Sequence, residues 1–319
     1  MKRRQFLLTL FGGSVVGSLI YGAIVKSKNQ YELVLANSPT SNPIASPESQ
    51  PTFTEPSEEP LVRFAAIADT GVGSKDQYAV ANAMLQTYQQ KPFPFVLMAG
   101  DNIYPYGEIS LAKPLFEEPY APLLSRDIKF YAALGNHDII KTNNGLDQIN
   151  YPLFNMSDRY YSFTKGNTAE ESIEFFAIDT NENAPWLDQL TWLDRQLANS
   201  KASWKIVFGH HPLYSSGRHG SNPRLAAKLA PIFARHKVSL YLCGHDHGYE
   251  RFVPINGTTY IVNGGGGAPL YSFGKSPQTA FVSSQFSFMT FDVYQDKIIT
   301  KAIATNGKVF DRAIITKTI

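Results

Sequence analysis

The stretch CGHDHGYER, residues 243–251, places two histidines on either side of an aspartate. It follows the apolar run VSLYL, whose composition predicts a strand. Because alternate residues of an extended segment face the same side, His245 and His247 could point at one centre. A histidine pair by itself is more often a buried polar contact than a metal site. The interpretation therefore depends on whether other metal-binding side chains lie nearby.

Polar residues also end several other apolar runs of the chain. The segments LVRFAAIAD, FPFVLMAGD, KFYAALGNHD and WKIVFGHH end at or near Asp69, Asp101, Asn136 and His210. Ligands of open α/β sheets gather beyond the carboxyl ends of the strands, so these side chains should converge with the histidine pair. A capping aspartate, a turn asparagine or a buried histidine would each be unremarkable alone. One shared metal centre explains all of them together.

Amphipathic segments lie between these apolar runs and must position them. Helical periodicity is present in DQYAVANAMLQTYQQ, WLDQLTWLDRQLAN and RLAAKLAPIFARH. This alternation predicts an α/β sheet packed by helices. SIEFFAID reads as a further strand without an obvious ligand. The C-terminal stretch from Phe286 to Lys317 alternates in the manner of strands and contains turn signals, which predicts antiparallel strands joined to the same core.

In this order, the segments resemble the calcineurin-like metallophosphoesterases, whose signatures are D-x-[HG], GD, GNH[DE], GH and GHxH. The resemblance covers roughly residues 63–250. The first block is DTG, with Gly71 where most of the family has a histidine. The second is GDNIY, and its Tyr104 matches the additional ligand of the purple acid phosphatases. The resemblance implies the fold of that family, an α/β mixed-sheet sandwich flanked by helices, with a dimetal site at the carboxyl ends of the strands.

The resemblance also implies a ligand set. An iron(III) ion would be held by Asp69, Tyr104 and His247. A second, divalent ion (iron, zinc or manganese) would be held by Asn136, His210 and His245. Asp101 would bridge the two ions. Hard oxygen donors suit a trivalent ion, whereas imidazole with an amide oxygen suits a divalent one.

The activity implied by the resemblance is that of an acid phosphatase. A metal-bound hydroxide would attack a phosphate monoester, and two histidines would contact the substrate: His137, inside GNHD, and His219, in the loop SSGRHGSN. Two alternatives remain open. One is a phosphodiesterase or nucleotidase on the same metal centre, and the other is a non-catalytic, surface-tethered protein that binds phosphate or metal.

Residues beside the motifs have their own interpretations. His211 precedes Pro212 and is expected to point away from the site. Asp138 and Asp246 either orient ligand histidines or serve in turns. Cys243 is expected to be a small buried hydrophobe.

Composition limits the other functions. The 319 residues are 43% hydrophobic and 18% charged, with a formal net charge of +2 and a single cysteine. No dense run of Lys or Arg lies beyond the N-terminus, so nucleic-acid binding through phosphate neutralisation is not expected, and small phosphate esters are the predicted partners. The single cysteine excludes an intramolecular disulfide and a cysteine-based zinc cluster. The sequence does not indicate an oligomeric state.

The N-terminus has the features of a targeting segment. Residues 1–36 begin MKRRQFLLTLF, with Arg3 and Arg4 before an uncharged stretch, which predicts a twin-arginine-like export signal or an N-terminal membrane anchor. Residues 37–60 are rich in proline and serine and predict an extended linker. Residues 61–319 are the predicted catalytic domain. The protein is therefore expected to be exported to a periplasmic or extracellular location, with a membrane tether if the signal is retained.

Overall fold

The computed structural model describes residues 56–168 and 171–317. The predicted signal or anchor, and most of the predicted linker, lie outside the described residues. The described residues form one compact unit. Within the described part, no helix combines the length and hydrophobicity that crossing a bilayer requires.

Strands and helices alternate along most of this unit. Strands β1 to β13 are, in chain order, Val62–Ile67, Phe95–Met98, Lys129–Ala132, Tyr161–Lys165, Ile173–Ala177, Trp204–Phe208, Leu240–Cys243, Tyr249–Phe252, Thr259–Asn263, Thr279–Ser283, Ser287–Val293, Lys297–Ala304 and Val309–Thr316. Helices α1 to α5 are Lys75–Gln90, Glu118–Leu124, Leu146–Ile149, Trp186–Asn199 and Pro223–Arg235. Short 3₁₀ or π turns lie at Ile109–Leu111, Lys113–Glu117 and Pro152–Phe154.

The strands form two mixed sheets. The first has the order β13-β12-β11-β1-β2-β3, in which β1, β2 and β3 are parallel and β11, β12 and β13 pair antiparallel. The second has the order β10-β8-β9-β7-β6-β5-β4, in which β5, β6, β7 and β9 are parallel. The predicted α/β sandwich with antiparallel C-terminal strands is confirmed.

Aromatic side chains fill the space between the sheets. The ring of Phe64 on β1 stacks on Phe95 and Phe291, with ring centroids 5.4 and 4.6 Å apart, and meets Phe175 of the second sheet edge-on at 5.2 Å. Burying a phenylalanine of this kind contributes about 1.5–3 kcal/mol. Truncating Phe64 to alanine should cost about 3–5 kcal/mol, because three packed rings would border the cavity.

Helices α4 and α5 cover the outer face of the second sheet. Leu193 of α4 and Leu229 and Phe233 of α5 pack on Val207 and Tyr241, which point outward from the sheet. Helix α5 begins at Pro223, and the Asn222 side chain caps it by accepting a hydrogen bond from the backbone N–H of Leu225, at 3.0 Å. This packing fixes β6 and β7, whose carboxyl ends lead into the polar motifs.

Candidate metal centre

The polar motifs follow the carboxyl ends of parallel strands from both sheets. Asp69 and Asp101 lie beyond β1 and β2, and His245 lies beyond β7, each with a left-handed backbone, at φ values of 58°, 52° and 70°. Non-glycine residues rarely adopt this conformation, which costs of the order of 1–3 kcal/mol and recurs at functional sites. The sharp turn after each strand directs the side chain toward one shared centre.

An oxygen-rich group of side chains, here called the Tyr104 cluster, consists of Asp69, Asp101, Tyr104 and His247. The Tyr104 hydroxyl lies 3.2 Å from Asp69 Oδ1, 2.9 Å from Asp101 Oδ2 and 3.2 Å from His247 Nε2. These are the residues that the resemblance assigned to the iron(III) side. The structure brings all of them together.

The backbone around Gly71 explains why this position is a glycine and not the histidine found in most of the family. A Cβ atom at position 71 would lie 1.9 Å from the carbonyl oxygen of Asn102. The same glycine accepts a hydrogen bond from the backbone N–H of Tyr104, at 2.7 Å. The loop therefore has no room for a histidine at position 71. Its backbone instead binds the backbone of Tyr104, whose side chain reaches the centre.

A nitrogen-rich group, here called the His210 cluster, consists of Asp101, Asn136, His210 and His245. Nε2 of His210 lies 3.0 Å from Asn136 Oδ1, 3.2 Å from His245 Nδ1 and 3.3 Å from Asp101 Oδ2. These residues match the set implied for the divalent side. The two clusters share Asp101, whose Oδ2 atom faces both the Tyr104 hydroxyl and the His210 ring.

Backbone carbonyls orient two of the histidines. Nδ1 of His210 lies 3.1 Å from the carbonyl oxygen of Ala99, and Nδ1 of His247 lies 2.7 Å from that of Pro269. A carbonyl oxygen only accepts hydrogen bonds, so each Nδ1 carries a proton, and Nε2 is the ring atom that faces the centre and can bind a metal. This arrangement is typical of histidines that bind metals.

Electrostatics follow from burial and proximity. Burial disfavours the Asp101 carboxylate, but His210 and His137 outweigh that effect and hold its pKa well below the usual range. Burial works against charge on His210 as well, yet Asp101 raises its pKa to about 9. Burial, together with Asp69, raises the pKa of Tyr104 well above its ordinary value, so ionising this phenol requires a nearby cation.

The residues present fit a pair of cations. Asp69 and Asp101 are buried, and among the described residues no Lys or Arg forms an ion pair with either. Buried carboxylates need compensating charge. Ligand atoms of Asp69, Asp101 and His210 lie within 4.8 Å of one another, close enough to share an ion. Gly244 and Gly264 allow this approach, because a Cβ at either would lie 2.2 or 2.8 Å from Asp69 Oδ2.

The two histidines predicted to contact substrate flank the centre on different sides. His137 packs against Tyr104, with ring centroids 4.4 Å apart, and its Nδ1 lies 2.6 Å from the carbonyl oxygen of Pro105. His219 is exposed and packs against His245, with ring centroids 4.1 Å apart. Both are near enough to reach a phosphate at the centre, and their roles stay predictions.

Asp138 and Asp246 organise loops. Asp138 accepts hydrogen bonds from the backbone N–H groups of Gly135, Asn102 and Ile103 at 2.8–3.1 Å. In the described part of the chain, these contacts support the turn role that the sequence left open. Asp246 has a similar role in the loop that carries His219.

Asp246 fixes the loop that carries His219. Its carboxylate accepts hydrogen bonds from Ser215 Oγ at 2.5 Å and from the backbone N–H of His219 at 2.8 Å. Ser215 Oγ in turn accepts from the backbone N–H of Gly217, at 2.9 Å. The position of the exposed histidine is therefore set by a buried carboxylate that lies between two proposed metal ligands.

The expectation that His211 points away from the site is wrong. Its ring centroid lies 4.9 Å from that of His210 and 4.5 Å from that of His245. Thr180 holds it there, with its Oγ1 atom 2.8 Å from His211 Nδ1 and accepting from the His211 backbone N–H at 2.9 Å. Burial, with neighbouring His210, lowers the pKa of His211 to about 3, so the ring is neutral.

Sequence reasoning missed Tyr271. Its ring stacks on His247, with centroids 4.1 Å apart and planes at 13°, and lies 5.5 Å from the ring of His219. The backbone N–H of Tyr271 donates to the His247 carbonyl oxygen at 2.8 Å. Tyr271 lies outside every motif that the sequence analysis singled out, and no local signal marked it.

The comparisons with known proteins agree with this geometry. The family model described as calcineurin-like phosphoesterase matches residues 62–249. Tartrate-resistant acid phosphatase type 5 of Sus scrofa is 29% identical over 248 residues, covering 67% of this chain and 72% of that protein. Purple acid phosphatase 3 of Arabidopsis thaliana is 30% identical over 244 residues, covering 67% of this chain and 65% of that protein.

A solved structure extends the comparison. The chain described as GAP50, the anchor in the inner membrane complex of Plasmodium, aligns with a TM-score of 0.72 and 26% identity, covering 81% of this chain and 89% of that one. The resemblance drawn from the sequence motifs is confirmed, with a phosphoesterase domain and purple acid phosphatase homologues. This chain belongs to the calcineurin-like phosphoesterase family.

Proposed function

We propose that this protein is an acid phosphatase that hydrolyses phosphate monoesters at a dinuclear centre of iron(III) and a divalent metal. The Tyr104 hydroxyl carries the proposal, because it lies within 3.2 Å of Asp69, Asp101 and His247 where the chain leaves no space for a histidine at position 71. Phosphatase names among the homologues support the same reaction.

The chain's own residues would divide the work. Asp69, Tyr104 and His247 would hold iron(III), and Asn136, His210 and His245 the divalent ion. Asp101 would contact both. When bound, a pair of cations stabilises the charge of the phosphate and favours ionisation of water to the nucleophile.

The two flanking histidines would bind the phosphate and protonate the leaving alcohol. Nδ1 of His137 faces a carbonyl oxygen, so Nε2, which lies 4.0 Å from Asp101 Oδ2, is the atom that would face a phosphate oxygen and would donate to it from the protonated ring. His219 sits beside His245 on an exposed loop, where an alcohol leaving the phosphate could reach it. General acid assistance of this kind contributes typically about 10²–10⁴ in rate.

Turnover by the purified, metal-loaded protein tests this proposal. Nitrophenyl phosphate and bis(nitrophenyl) phosphate would be compared across acidic pH, with Asp101→Ala protein prepared identically to report any contaminating phosphatase. We expect the monoester to be the better substrate. A clear preference for the diester would favour the phosphodiesterase alternative. Bound metals without turnover would favour the non-catalytic binding protein.

We also propose that the protein is exported through its twin-arginine-like N-terminus. The support is the order Arg3, Arg4, Gln5, Phe6, Leu7 before an uncharged stretch. Replacing Arg3 and Arg4 together by lysine keeps the charge but removes the arginine pair, so the precursor should accumulate in the cytoplasm. Unimpaired export of the double variant would contradict this route.

A further inference from the structure

A cleft of about 610 Å³ opens beside the His210 cluster, and His245 of that cluster lines it. Its lining includes His219 and His245, and it continues past His211 to the first turns of α5. A phosphate held at the centre would therefore have its ester oxygen close to His219. The rest of the substrate would extend into this space.

The far wall of the cleft carries positive charge. Arg224 and Lys228 both line it and lie four positions apart on α5, so they share one face of the helix. Both side chains are exposed, and among the described residues neither forms an ion pair with a carboxylate. Two cations on one wall thus remain available to a ligand.

An adjoining wall is formed by Trp186 at the start of α4. The ammonium group of Lys228 lies 4.0 Å from the centre of the Trp186 ring, which keeps it at the cleft rather than in open solvent. Glu182 lines the cleft as well and offsets part of the charge. The amino end of α5 adds a partial positive charge, because Asn222 and Pro223 also border the space.

From this arrangement we infer that the cleft binds the alcohol portion of the substrate and favours phosphate monoesters whose alcohol carries a second anionic group, either carboxylate or phosphate. Arg224 and Lys228 are the specificity-determining residues. This inference rests on the proposed phosphatase function, since it places the ester phosphate at the metal centre and its leaving group in the cleft.

Equilibrium binding tests the inference without requiring turnover. The probes are alkyl phosphonates of increasing chain length, each with and without a terminal carboxylate, titrated into the metal-loaded protein. At the chain length that reaches Arg224 and Lys228, the carboxylate should tighten binding about fivefold, the effect expected of partly exposed ion pairs. The Arg224→Glu/Lys228→Glu variant should lower the ratio of the two affinities to about one or below.

Lys129→Glu is the matched control, because Lys129 is also exposed but begins β3, at the opposite end of the strand from Asn136. That variant should keep the wild-type preference. An affinity ratio that is equal in wild type and in the double variant would overturn the cleft inference. If nitrophenyl phosphate is still hydrolysed in that case, the proposed phosphatase function stands. Absence of turnover for every ester would overturn the proposed function and the inference together.

Discussion

The two halves of the candidate centre share one carboxylate and differ in almost everything else. Around Tyr104 the side chains offer two carboxylates, a phenol and one imidazole, whereas around His210 they offer two imidazoles, an amide oxygen and the shared Asp101. Oxygen donors with negative charge favour a trivalent ion, and neutral nitrogen donors favour a divalent one. The presence of Tyr104, together with a glycine at position 71, increases the chemical inequality of the two halves.

The halves also differ in their surroundings. The Tyr104 cluster is closed off by His137 and by Tyr271, which stacks on His247. The His210 cluster borders the cleft through His245, and the exposed His219 packs against that histidine. Departing alcohol is therefore expected on the His210 side. Substitutions that act on one half, on both, or on the loop alone should separate these roles.

The largest effect is expected from Asp101→Ala, which removes the contact common to both halves. Both cations should be lost, and turnover should fall by about 10³ or more, because charge stabilisation worth several kcal/mol disappears. Metal analysis and nitrophenyl phosphate turnover measure the two outcomes, and the thermal midpoint controls for folding. Retention of one full equivalent of metal would mean that Asp101 is not shared.

Asn136→Ala should act mainly on the nitrogen-rich half. The amide oxygen lies 3.0 Å from His210 Nε2 and does not belong to the Tyr104 cluster. We expect loss of the divalent ion, retention of iron and its visible colour, and a rate lower by about 10². Equal, mild loss of both metals in Asn136→Ala and Asp101→Ala would contradict the assignment of terminal and shared ligands.

His219→Ala should act on the leaving group and leave both metals in place. An alkyl alcohol needs a proton to depart, whereas nitrophenolate leaves as a stabilised anion. We therefore expect about 10² loss for alkyl phosphates and a much smaller loss for nitrophenyl phosphate. Values of kcat and kcat/KM for both esters provide the test. Equal losses on the two esters would exclude the acid role, and a rise in KM alone would indicate phosphate binding.

Ser215→Ala should give the smallest effect, since it only loosens the loop that carries His219. Removing the hydroxyl leaves Asp246 with one fewer donor, and alkyl ester hydrolysis should fall roughly tenfold, again with the aryl ester affected less. Ser125→Ala, at an exposed serine that bonds a backbone carbonyl at the end of α2, is the control. An equal loss of activity on both esters in Ser215→Ala would show that Ser215 stabilises the structure without positioning His219.

Much of this fold was predictable because its strands carry strong local patterns. The runs around Phe64, Val96 and Val207 are apolar apart from Arg63 and Lys205, as expected of strands that are largely buried on both faces. The short strands β4 and β8 to β10 were not anticipated, since their residues are mixed in character and their pairing is set by neighbours distant in sequence. The residues that meet at the candidate centre were predictable because each follows such a strand within a recognisable motif; that they bind metal stays a prediction.

The rest of the site depends on long-range packing. His211 was misplaced because Pro212 suggested a turn away from the centre, while the Thr180 hydroxyl, from a different loop, holds the ring beside His245. Tyr271 was missed because nothing in its local sequence marks a ring that stacks on His247. Contacts of this kind join segments far apart in the chain, and no local periodicity encodes them.

The visible spectrum of the metal-loaded protein, compared between wild type and Tyr104→Phe, tests the central claim most directly. A phenolate bound to iron(III) gives a charge-transfer band, so wild type should be purple to pink. The Phe variant keeps the ring that packs against His137 but lacks the hydroxyl shared by Asp69, Asp101 and His247. We expect the band to disappear from the variant, even where iron is retained. Full iron occupancy with an unchanged spectrum would remove Tyr104 from the proposed metal centre.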